Sequence, residues 1–96
     1  MRLLWHADAR LEADTAADFY NNQQPGLAQR FFDELDDALR RIKRHPEGYR
    51  QVEGNIRKCR VRHFPFGVIY RVQPDIVEII AVMHLRRLPG YWKRRS

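Results

Sequence analysis

Ile76-Val77-Glu78-Ile79-Ile80-Ala81-Val82-Met83 is apolar at every position except Glu78. Side chains on a strand alternate between two faces, so this run has almost no polar face to offer water. It predicts a buried strand over Ile76 to His84, central in its sheet and covered on both sides. Two more strands are predicted just upstream, Ile56 to Arg62 and Phe66 to Val72, with turns at Phe64-Pro65 and Gln73-Pro74-Asp75. Connections this short force antiparallel pairing.

A sheet this apolar needs a roof, and the first half of the chain supplies one. Leu27, Phe31, Leu35, Leu39 and Ile42 recur at helical spacing, flanked by Phe32 and Ala38. The acidic group Asp33, Glu34, Asp36 and Asp37 precedes the basic group Arg40, Arg41, Lys43 and Arg44, an order that favours i,i+4 pairs and complements the helix dipole. His45-Pro46 ends this helix, because the residue before proline resists helical geometry. Upstream, Ala9, Ala13, Ala16, Ala17 and Tyr20 share a face of another helix, with Asp8 as its expected N-cap and Glu12, Asp14 and Asp18 pointing elsewhere. Asn21 to Gly26 breaks it, and Pro25 is expected to open the second helix at its first position. Leu3-Leu4-Trp5-His6 reads as a short first strand. The prediction is one α+β domain over residues 1–96, in the order β-α-α-β-β-β, with a helical hairpin on a small, mostly antiparallel sheet.

Composition narrows the class of partner. The chain has 96 residues, 44% hydrophobic and 31% charged, a globular mixture rather than a disordered one. Residues 1–48 carry 7 Lys+Arg against 9 Asp+Glu, and residues 49–96 carry 11 against 3. The whole surplus of the +6 net charge therefore lies in the second half. That asymmetry points to an anionic partner: nucleic acid, a phosphate-bearing complex or an acidic protein segment. No apolar run approaches a membrane-spanning length. Met1 to His6 is followed at once by Asp8, Glu12 and Asp14, unlike a signal peptide, and the one cysteine, Cys59, has no internal disulfide partner. A cytoplasmic protein is expected.

Two segments carry candidate functional groups. In Ile56-Arg57-Lys58-Cys59-Arg60-Val61-Arg62, alternation puts Lys58, Arg60 and Arg62 on one face and Cys59 and Val61 on the other. Cations about 6–7 Å apart, two strand residues per step, resemble the separation of phosphates along a nucleic-acid strand. A solvated edge strand guarded by its charges gives the same pattern. The second segment runs from His84 to Arg95. It joins an imidazole, the adjacent guanidiniums of Arg86 and Arg87, and the rings of Tyr91 and Trp92, directly after the buried strand. Arginine grips phosphate or carboxylate through paired hydrogen bonds, and aromatic rings stack on bases or anchor protein interfaces. Trp92 alone reads better as a core cap, and Lys93-Arg94-Arg95 reads equally as a solvated end. Cys59 reads as a packed core thiol. No histidine shows metal-ligand spacing with a cysteine or carboxylate, and there is no P-loop, GxGxxG or hydrolase serine motif, so neither metal nor cofactor is expected.

Several spaced signatures in combination resemble the RelE/ParE toxin superfamily of type II toxin–antitoxin systems. They are Pro25-Gly26-Leu27, Ile42 to His45-Pro46, Ile56-Arg57-Lys58, Phe64-Pro65-Phe66-Gly67-Val68-Ile69-Tyr70-Arg71, and Ala81 to Trp92 with its His-x-Arg-Arg-x-Pro core. The resemblance spans nearly the whole chain and lies closer to the ParE-like branch. It implies a cognate antitoxin whose flexible, acidic C-terminal segment folds against the helices and sheet. ParE-like members poison DNA gyrase as binding inhibitors, in the setting of plasmid stabilisation. RelE-like members are ribosome-dependent mRNA endoribonucleases, a reading that would employ Arg60, Arg62, His84, Arg87 and Tyr91, with His84 or Tyr91 exchanging a proton with the 2′-hydroxyl. Of the RelE lysine pair, only Lys58 lies in the matching region. For a binding inhibitor, the target- or nucleic-acid-binding candidates are Lys58, Arg60, Arg62, His84, Arg86, Arg87, Tyr91 and Trp92.

Overall fold

A computed structural model of the chain describes residues 1–95. Its elements run β1 (Arg2–Trp5), α1 (Ala7–Gln23), α2 (Leu27–Arg44), β2 (Arg50–Glu53), β3 (Ile56–Arg60), β4 (Phe66–Gln73), β5 (Ile76–His84) and a closing 3-10 helix (Tyr91–Arg95). The five strands form one sheet in the order β1-β5-β4-β3-β2, with β1 parallel to β5 and every other pair antiparallel. The α+β class and the helical hairpin are as the sequence predicts.

The alanine face of α1 and the Phe31, Leu35, Ala38, Leu39 and Ile42 stripe of α2 bury together with Cys59, Val61, Val68, Tyr70, Val77, Ile79 and Val82. A second, smaller core lies on the other face of the sheet: Ile56, Ile69, Ile80, Ala81, Met83 and Trp92. β5 serves both cores through a bulge. Ile69 pairs with Ala81 and Tyr70 with Ile79, so Ile80 is an extra residue in the ladder. The insertion lets the consecutive Ile80 and Ala81 both face the second core. It is why an unbroken apolar run, rather than an alternating one, encodes this strand.

Four details differ from the sequence reading. The strand β2 was not predicted: only Val52 in Arg50-Gln51-Val52-Glu53 is apolar, as expected of an exposed edge. β5 sits second from one edge, with β4 at the centre. The N-cap of α1 is His6, whose Nδ1 accepts the Asp8 N–H at 3.1 Å, and Asp8 lies inside the first turn. Pro25 does not start α2. It precedes Gly26, whose φ of 85° and ψ of −11° complete a turn closed by the Leu27 N–H on the Gln24 carbonyl at 3.1 Å. Proline then glycine at those positions is the type II pattern, and only glycine holds the second without strain.

Candidate functional site

β1 covers only Ile76 to Ile79 of β5. From Ile80 to Met83 the same edge has no strand beside it among the described residues, so its buried backbone groups need other partners. Side chains provide them. Glu12 Oε1 on α1 accepts the Val82 N–H at 3.0 Å, while Arg95 Nη1 donates to the Ile80 carbonyl at 3.2 Å and to Glu12 Oε1 at 2.8 Å. The Tyr91 hydroxyl donates to Glu12 Oε2 at 2.6 Å, and Arg87 Nη1 reaches the same oxygen at 3.5 Å. One carboxylate thus gathers a backbone amide, a phenol and two guanidiniums.

Burial separates the structural members of this cluster from the available ones. The Glu12 and Arg95 side chains are 15% and 14% exposed, and charges so enclosed persist only when paired. Arg87 is 53% exposed and lies over the Tyr91 ring, its guanidinium carbon 3.5 Å from the centroid. Arg86 is exposed beside it, and its backbone N–H donates to His84 Nδ1 at 3.1 Å. That bond requires the Nδ1 lone pair, so any ring proton sits on Nε2. Burial pushes the Tyr91 hydroxyl well above the ordinary tyrosine pKa, and its hydrogen bond to Glu12 and the Glu12 charge push it further.

The cluster closes one end of a groove of about 640 Å³ between α1 and the unpaired half of β5. Leu11, Phe19, Tyr20, Phe66 and Val82 give it apolar walls, and Asp8, Glu12, His84, Arg87 and Arg95 give it its polar and charged lining. Leu11 is 62% and Phe19 57% exposed, a large area for two residues one α-helix offers on the same side.

The model of the ParE toxin of type II toxin–antitoxin systems (parDE) matches residues 3–89. The chain belongs to the ParE toxin family. The fold agrees: a solved structure described as the chromosomal ParDE TA system from P. aeruginosa superposes with a TM-score of 0.78 at 18% identity, covering 90% of this chain and 97% of that one. No curated protein matches in sequence. The chain is thus a toxin component of the ParE type.

On this ParE scaffold the predicted site residues separate into distinct places. His84, Arg86, Arg87 and Tyr91 cluster at the end of β5. Trp92, 3% exposed, packs into the second core, so its ring has no open face on which a base could stack. The expected row of Lys58, Arg60 and Arg62 breaks after its second member. β3 ends at Arg60, and Arg62, in the turn beyond, pairs with Asp37 of α2 at 3.6 Å. Lys58 lies on the outer face, its stem over Gly67, and Arg60 is exposed with its carbonyl taken by Arg41 at 2.9 Å. Cys59 is fully buried, and burial pushes its thiol up, against a smaller opposing pull from Arg41, so it is a core residue rather than a nucleophile. Sequence reasoning missed Glu12 and Arg95, read respectively as pointing away from the core and as a solvated end. It also missed the groove, which a second stripe at Leu11, Thr15 and Phe19 marks in the sequence.

Proposed function

We propose that this toxin inhibits DNA gyrase by binding rather than by chemistry, and that an acidic antitoxin segment silences it by lying in the α1–β5 groove. Family membership supports the first part, together with the state of Tyr91. A phenol that donates its hydrogen bond to Glu12 and keeps its proton is poorly suited to exchange protons with a 2′-hydroxyl, which removes one of the two groups, His84 or Tyr91, that the nuclease reading offers for that step. The observation that carries the second part is the groove itself, apolar along its walls and bordered by the half-exposed Arg87 guanidinium. A disordered segment that orders on binding must offset its entropy with buried apolar area and matched charge; the walls offer the first and the half-exposed Arg87 the second. Arg86, exposed at the mouth of the site, and Arg87 are the residues we assign to target contact. Both roles belong in the cytoplasm.

A supercoiling assay with purified gyrase tests the target. Micromolar toxin should block supercoiling and accumulate cleaved DNA, and Arg86→Ala with Arg87→Ala should abolish the effect; unaffected gyrase removes the reading. Phe19→Glu tests the groove independently. It should leave gyrase inhibition intact and weaken antitoxin binding about a hundredfold, as expected for a charge placed at an apolar anchor. Wild-type antitoxin affinity in that variant would refute the docking site.

A further inference from the structure

On the side of the sheet away from the helices, a small well of about 190 Å³ opens between β2, β3 and the C-terminal segment. Arg50, Val52, Lys58, Ile69, Met83, Pro89 and Trp92 line it. Arg50 and Lys58 are direct cross-strand partners in the β2–β3 ladder, so two like charges stand on the same face at neighbouring positions. Such a pair repels and is destabilising unless an anion lies between. Among the described residues neither cation has an ion-pair partner, and Glu53, the acid on the same edge strand, pairs with Lys93 at 3.2 Å.

Two further observations show that the well is more than a gap between surface side chains. Gly67 makes room for the lysine, because a Cβ there would sit 3.1 Å from both Cγ and Cδ of Lys58. The stem is therefore laid across the sheet, and the Lys58 side chain is only partly exposed. Trp92, which forms part of the lining, has a buried indole N–H with no acceptor among the described residues. Among the described residues, the lining brings the cations of Arg50 and Lys58 beside the Trp92 ring and contains no carboxylate. What it lacks is an acceptor carrying negative charge.

We propose that this well is a second binding site, and that it takes the carboxylate of a glutamate or aspartate side chain from an acidic protein segment. Size and lining select this occupant over a nucleic-acid backbone. The well holds a side chain and is too small for a nucleotide. Its walls, Val52, Ile69, Met83, Pro89 and Trp92, suit the methylenes of an acidic side chain. Cross-strand partners have Cβ atoms only about 4.5–5.5 Å apart, which lets two cations flank one carboxylate rather than track successive phosphates. The site lies across the sheet from the α1–β5 groove and does not rest on the reading of that groove.

The test follows the Trp92 indole N–H resonance of the ¹⁵N-labelled full chain, distinguished from Trp5 by a Trp5→Phe variant. The probes are a capped pentapeptide with one glutamate flanked by leucines, its glutamine counterpart, inorganic phosphate and a short single-stranded DNA. The glutamate peptide should shift the Trp92 resonance saturably and the glutamine peptide should not. Lys58→Met, which keeps the stem over Gly67 and removes the charge, should weaken the peptide about tenfold, as should Arg50→Gln. Neither variant should lower the unfolding temperature of the free protein, since neither side chain is part of a core and each substitution relieves the cross-strand repulsion. An unmoved Trp92 resonance at millimolar glutamate peptide would overturn the proposal. So would equal shifts from both peptides, or shifts from phosphate or DNA alone.

Discussion

The two halves of β5 solve one problem by different means. Residues 76–79 have a strand on each side, β1 and β4, so the ladder satisfies their backbone. Residues 80–83 keep β4 but lose β1, and there Glu12 and Arg95 take the place of a strand. Backbone pairing is anonymous: any residue that tolerates the pleat can sit opposite Val77. Side-chain pairing is specific, since one carboxylate and one guanidinium meet the Val82 N–H and the Ile80 carbonyl. The consequence is local. The half of β5 that ends in the functional cluster is held by groups that a partner's charges can compete for, and the other half is not.

The largest effect should come from the strand-paired half. Ile79 is fully buried in the core on the helical face of the sheet, and Ile79→Ala should lower unfolding free energy by about 3 kcal/mol through lost burial and a residual cavity. Denaturant melts check this, and a change under 1 kcal/mol would mean that the core collapses around the gap. Glu12→Ala attacks the other half. It leaves Arg95 enclosed without its charge partner and frees the Val82 N–H, and partial exposure reduces the usual buried-pair penalty to about 2 kcal/mol. The sharper readout is hydrogen exchange. The Val82 amide should gain more than the uniform rise that lower global stability gives residues 76–79. A uniform rise alone would show that Glu12 does not act as the missing strand.

The contrast also explains what the sequence made legible. Apolar periodicity is a one-residue signal that repeats, so α2 and β5 could be read from it, with β5 bounded at Ile76 and His84 as observed. The edge strand β2 carries no such signal, although Gly54-Asn55, which joins Glu53 to Ile56 in a hairpin, is a turn pair that could have revealed it. The Lys58-Arg60-Arg62 row failed because period-2 reasoning assumes that the strand continues, and β3 stops at Arg60. His84, Arg86, Arg87 and Tyr91 were found because the chain itself places them side by side. Glu12 was not, because its partners lie 70 to 83 positions away in sequence. No local pattern reports a contact made by one acid with the far end of the chain. Arg95 was hidden for the same reason, since a terminal Lys-Arg-Arg run is ordinarily solvated.

The smallest effect we predict isolates one hydrogen bond of the side-chain-held half. Tyr91→Phe removes the phenol's donation to Glu12 and should cost about 1 kcal/mol near neutral pH. Its signature is in the alkaline limb. Tyr91 and Tyr70 both hold their protons above the ordinary tyrosine pKa in the folded state, chiefly because they are buried. Once pH exceeds about 10, the unfolded chain releases these protons while the folded chain keeps them. The folded state then binds more protons, so stability falls as pH rises; the contribution is complete below that value and is lost progressively above it. Thermal unfolding of the wild type between neutral pH and pH of about 11 should show this decline. Tyr91→Phe should start lower and fall less steeply, with Tyr70, Tyr20 and the Cys59 thiol, all raised by burial, supplying the remainder. Equal slopes in the two proteins would mean that Tyr91 is solvated, and the account of the unpaired half of β5 would then lose its phenol.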